Sequence, residues 1–205
     1  MRIRAVLGIL VLALPLVAQQ ATKDIPGADA PDPDDVKPPT PEVLQQVKDV
    51  VHRQFGQGFS LAEDSSTPVL LGDFDGDGVE DMAAVVAAKK PPKVLSSAGY
   101  LMIDPYDEFF GYGNPRMTNH FSAGDQERVR YLLIVHGAGA EAWRAKTPKS
   151  KFVVINLPLD KMGIVPLTWK KKHVNAIELD ETSVMSSLLF WDGKRYRWEP
   201  GDLSD

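Results

Sequence analysis

Cysteine is absent from all 205 residues. That excludes a disulfide scaffold, a thiolate zinc site, a catalytic thiol and a lipid-modified cysteine. Positive charge is scarce: 23 Lys and Arg stand against 28 Asp and Glu, for a formal net charge of −5. A phosphate backbone would meet no general attraction, so no nucleic-acid partner is expected. Long apolar runs are missing beyond residue 17, so nothing after it is long enough to span a bilayer. The four histidines, His52, His120, His136 and His173, show no zinc-binding spacing. No G-x-S-x-G elbow and no tandem repeat occurs.

What is present is an ordinary globular composition, 43% apolar and 25% charged. It suits one domain, two at most. Met1–Ala18 reads as a secretory signal peptide, with Arg2 and Arg4 ahead of the apolar stretch Ala5–Val17. Cleavage is expected after Ala18, with Ala21 as the alternative. Residues 19–40 read as a linker carrying five prolines (Pro26, Pro31, Pro33, Pro38, Pro39) and five aspartates (Asp24, Asp29, Asp32, Asp34, Asp35). With almost nothing apolar to bury, such a segment cannot offset its ordering entropy. Residues 41–205 are then expected to form a single globular domain, secreted or periplasmic, with no membrane span after cleavage.

Thr40-Pro41-Glu42 starts a helix: a capping hydroxyl, a proline in the first turn and an acid at the positive end. Leu44, Val47, Val51 and Phe55 continue it at helical spacing until Gly56. Strands are expected at Phe59–Ala62, Pro68–Gly72, Met82–Ala88, Tyr131–His136, Lys151–Leu157 and Ile164–Trp169. Ser183–Trp191 and Lys194–Trp198 should close as a hairpin across Asp192-Gly193. Short connections favour antiparallel pairing. The expected fold class is α+β, an N-terminal helix packed on a mainly antiparallel β-sheet.

Asp73-Phe74-Asp75-Gly76-Asp77-Gly78-Val79-Glu80-Asp81 sets a carboxylate at alternate positions, then another four residues on. Glycines at 76 and 78 let the chain curl, so these carboxylates can converge. Crowded carboxylates call for a hard cation with many oxygen ligands. Ca²⁺ takes six to eight, whereas Mg²⁺ prefers a rigid octahedron and keeps its waters. Asp73, Asp75, Asp77 and Asp81 are the candidate side-chain ligands and Val79 offers its carbonyl. An EF-hand would need an acid at the twelfth position, which is Ala84. The segment from Leu71 through Asp81 and into Met82–Val86 resembles instead the calcium loop of FG-GAP (VCBS, integrin-α-like) repeats. That resemblance covers residues 70–88 in a single copy. It implies a calcium loop joining two antiparallel strands, with those five residues as ligands, but not a propeller. The ion would be structural, and the protein a binding module for a protein or a glycan.

Weaker signals point elsewhere. Tyr131–Val135 followed by His136-Gly137-Ala138-Gly139 resembles the oxyanion-hole segment of α/β-hydrolases. A small secreted hydrolase using His136 with Ser96 or Ser97, or acids near Asp107, is one alternative. An inhibitor of a cell-wall enzyme, presenting Pro105–Phe121 as a protruding loop, is another. Lys89-Lys90 and Lys170-Lys171-Lys172-His173 read as solvated basic loops. Tyr106, Phe109, Phe110, Tyr112 and Phe121 read as aromatics plugging the open end of a small core.

Overall fold

A computed structural model describes residues 38–90, 99–111, 130–157, 159, 161–182 and 185–201. The expected signal peptide and nearly all of the expected linker lie outside them. So do Ser96, Ser97, Tyr112, His120 and Phe121.

Helix α1 spans Pro41–Phe55. The Thr40 side chain accepts the Val43 N–H, and Gly56 ends the helix at φ 97°. Six apolar side chains, Val43, Leu44, Val47, Val50, Val51 and Phe55, then need a partner. That partner is one face of a six-stranded sheet. Its strands are β1 (Phe59–Leu61), β2 (Val69–Gly72), β3 (Asp81–Ala88), β4 (Leu101–Ile103), β5 (Arg130–His136) and β6 (Ser150–Val154). β1 and β2 lie end to end along one edge of β3, and β5, β6 and β4 follow on the other side. Every pairing is antiparallel except β4 with β6.

A second sheet is a four-stranded antiparallel meander: β7 (Lys161–Trp169), β8 (Lys172–Thr182), β9 (Met185–Trp191) and β10 (Tyr196–Pro200). The architecture is thus broadly α+β and mostly antiparallel. The central sheet is covered on both faces. Met82, Ala84, Val86, Leu133 and Val135 join Val47, Val50 and Val51 beneath α1. The alternate residues Ala83, Val85, Leu132 and Ile134 meet Ile177, Leu179, Leu189 and Tyr196 of the second sheet. Two-sided burial explains why 82–88 and 131–135 are continuous apolar runs rather than alternating ones.

Several expectations need correction. β8 was read in part as a solvated basic loop. Lys170 and Lys171 instead make a two-residue turn, at φ 47° and 71°, and Lys172 opens the strand. Two lysines in the left-handed region carry no Asn-Gly signal. The β9–β10 turn is slightly wider than expected. Tyr196 rather than Lys194 begins β10, and only Gly193 takes a positive φ. The Asp192 carboxylate accepts the Lys194 and Arg195 N–H groups. The Pro105–Phe109 stretch is a short helix, α2, packed on β10 rather than a protruding loop, with Tyr106 4.9 Å from the Trp198 ring.

Leu132 and Leu133 point to opposite faces and neither is exposed. Leu132→Ala and Leu133→Ala should therefore each cost about 2–5 kcal/mol in denaturant unfolding. A sheet with one wet face would show that loss at only one of the two positions.

Candidate metal centre

Gly72 pairs with Asp81, and the eight residues between them form the loop. Asp81 opens β3 with its side chain buried, and every oxygen is engaged. Oδ2 accepts the N–H groups of Phe74 (2.8 Å) and Asp75 (3.3 Å), and Oδ1 accepts that of Gly137 (2.7 Å). One carboxylate therefore joins the start of the loop to the end of β5. Burial pushes it up to about 7, against the pull of those three donors.

Asp73 organises the tip. Its Oδ1 accepts from the Gly76 and Asp77 N–H groups and its Oδ2 from Gly78. Gly76 sits at φ 73°, and a Cβ there would lie 2.9 Å from the His173 carbonyl oxygen. The loop thus rests on β8, to which the Asn175 N–H → Asp73 carbonyl bond also ties it. Phe74, fully buried between the sheets, anchors it from below. At the other end Trp143 Nε1 donates to Glu80 Oε2 at 2.8 Å.

Asp73, Asp75 and Asp77 bring carboxylate oxygens within 4.8 Å of one another. Asp81 groups instead with Asp75 and His136 within the same limit, beneath the first three. Asp75 belongs to both groups. Its side chain is 2% exposed, its Oδ2 meets Lys149 and His136, and its Oδ1 is buried with no hydrogen-bond partner among the described residues. Val79 donates its N–H to Asp77 Oδ1.

Sequence reasoning singles out His136 but misses Lys149, Ser150 and Tyr196, which come to the loop from far along the chain. Lys149 Nζ lies 2.6 Å from Asp75 Oδ2 and 2.8 Å from Asp77 Oδ2. These bonds hold Asp77 below the usual carboxylate range and raise the lysine. His136 is buried, with Nε2 2.7 Å from Tyr196 Oη, and Nδ1 2.8 Å from Ser150 Oγ and 3.3 Å from Asp75 Oδ2. Burial pushes it down to about 4 despite the nearby acids. Burial raises the Tyr196 hydroxyl, helped by the charges of Asp81 and Asp75. No local pattern marks Lys149 or Ser150.

The histidine thus gains the acid and hydroxyl neighbours that a hydrolase would need, the hydroxyl being that of Ser150; Ser96 and Ser97 lie outside the described residues. The arrangement does not suit that chemistry. Serine and acid share one ring nitrogen, while catalysis needs them on opposite nitrogens. The N–H groups after β5 are also taken: Gly137 donates to Asp81, and Ala138 to the Ala142 carbonyl. The resemblance to an oxyanion hole fails on that bond. Asp104 and Asp107 are buried around the α2 cap, where Asp104 accepts from the Asp107 N–H and from Asn156. His52 lies on α1, and His173 Nδ1 is 3.0 Å from Thr168 Oγ1.

A scan against protein-family models finds no match, and neither the curated proteins nor the solved structures contain a match to this chain.

Gly137→Ala should destabilise the protein by about 1–3 kcal/mol or more, because its Cβ would press on the Glu80 carbonyl oxygen and lie 2.8 Å from the Ala142 carbonyl carbon. Backbone on both sides leaves nowhere to move. Tyr196→Phe should cost about 1–3 kcal/mol by leaving His136 Nε2 buried and unpaired. Urea midpoints of the two variants check both values.

Proposed function

We propose that this chain is an exported calcium-binding module whose ion is structural. The observation that carries this reading is Asp75 Oδ1, a buried carboxylate oxygen with no partner among the described residues, amid the converging acids of the loop. Leaving such an atom dry costs several kcal/mol unless a cation or donor meets it. The donor set is entirely oxygen and acidic, as a hard divalent ion requires. Asp73, Asp75 and Asp77 would supply carboxylate oxygens, Val79 its carbonyl and Asp81 the floor of the site, as the likeness to FG-GAP loops implies. The bound ion would neutralise charge at the seam where the loop meets β5, β6 and β8.

The surroundings support a structural role. His136 is sealed, and both of its nitrogens are engaged. No helix of the described residues is long and apolar enough to cross a membrane. Export through the N-terminal leader would bring the chain to calcium outside the cytoplasm, where the module would meet a protein or glycan partner.

Calcium at about 100 times its dissociation constant should add roughly 2.7 kcal/mol of stability. In a domain of this size that raises the melting midpoint by about 5–10 °C over chelator. Magnesium should do less, and Asp75→Ala should abolish the calcium shift. Thermal unfolding in calcium, magnesium and chelator measures this. Identical midpoints in calcium and chelator would rule out the calcium reading.

A further inference from the structure

The loop already holds a cation, and it belongs to the protein. Lys149 lies just ahead of β6, where its backbone N–H is fixed to the His136 carbonyl at 3.0 Å. Its ammonium touches Oδ2 of both Asp75 and Asp77. These are two of the three acids that cluster at the mouth of the loop. The side chain is half exposed, so its four-carbon stem can swing the charge into water while the backbone stays put. A single ammonium neutralises only one of the three charges, and it leaves Asp75 Oδ1 unpartnered.

We propose that Lys149 is a resident counter-ion of the Asp73–Asp77 loop, which a divalent cation must displace in order to bind. The inference rests on the calcium reading above. Without the ion, the ammonium holds Asp75 and Asp77 together and keeps the loop closed. When calcium enters, it takes over the carboxylate oxygens and the lysine moves out to solvent. The exchange lowers the net gain on binding. It also separates folding from the ion, since the loop has a cation in either state.

Calorimetric titration of the purified chain with calcium chloride, compared across variants, tests this. Lys149→Met should bind calcium about tenfold or more tighter than the natural chain, since a contact charge no longer competes. It should also melt lower in chelator. Lys149→Gln, which keeps a donor for the carboxylates but no charge, should tighten binding as well and serves if the methionine variant does not fold. Lys146→Met removes an equal charge from an exposed position nearby and should change affinity by less than about twofold. Equal affinity in the natural chain and both Lys149 variants would overturn the counter-ion while leaving calcium binding intact. A matching gain in Lys146→Met would overturn it too, because net charge would then suffice. Absence of binding in every chain would remove the calcium reading and this inference together.

Discussion

The buried carboxylate of Asp81 makes three hydrogen bonds that tie a loop to a strand end. It collects N–H groups from Phe74 and Asp75 on one side and from Gly137 on the other. Those donors belong to a loop and a strand end that would otherwise leave polar atoms dry between two sheets. Charged acceptors make stronger bonds than neutral ones in such surroundings. Everything around the candidate site inherits its position from this contact. It sets where the Asp73–Asp77 curl begins, where β5 stops, and how closely Gly137 approaches the backbone of Glu80.

Above that anchor the loop lies on the seam of a three-layer structure. Phe74 reaches into the inter-sheet core, Asn175 ties the loop to β8, and Trp143 binds Glu80 from beneath α1. His136 extends the link by joining Ser150 and Asp75 to Tyr196 of the second sheet. Phe152, Trp191 and Tyr196 pack around its ring at 5.1–5.6 Å between centroids. A cation in the loop would therefore bear on the joint between layers rather than on a peripheral turn. That placement is why a structural role is the economical one for it.

Much of the scaffold was legible before folding was considered. α1 follows from Thr40, Pro41 and its apolar stripe, and β3 and β5 follow from the apolar runs 82–88 and 131–136. β8 and β4 were not legible. β8 follows a turn of two lysines in left-handed geometry, and β4 is three residues long. The second sheet as a separate layer was not visible either, because periodicity says which face is apolar and not what covers it.

For the site, local spacing accounts for the convergence of Asp73, Asp75 and Asp77, since alternate residues of a glycine-bent loop share one side. Local spacing equally suggests that Asp81 joins them, yet it sits one level lower with its oxygens given to backbone donors. Lys149, His136, Ser150 and Tyr196 reach the loop across separations of many tens of residues, which only strand order and register can arrange. The sequence by itself determined an acidic, glycine-curled loop between two strands and a helix to back the sheet. Tertiary structure alone decided that the loop is buried at a seam, that a lysine already sits upon it, and that one carboxylate oxygen is left without a partner. Short-range chemistry is written in neighbouring residues, whereas desolvation and pairing depend on which distant surfaces the core brings together.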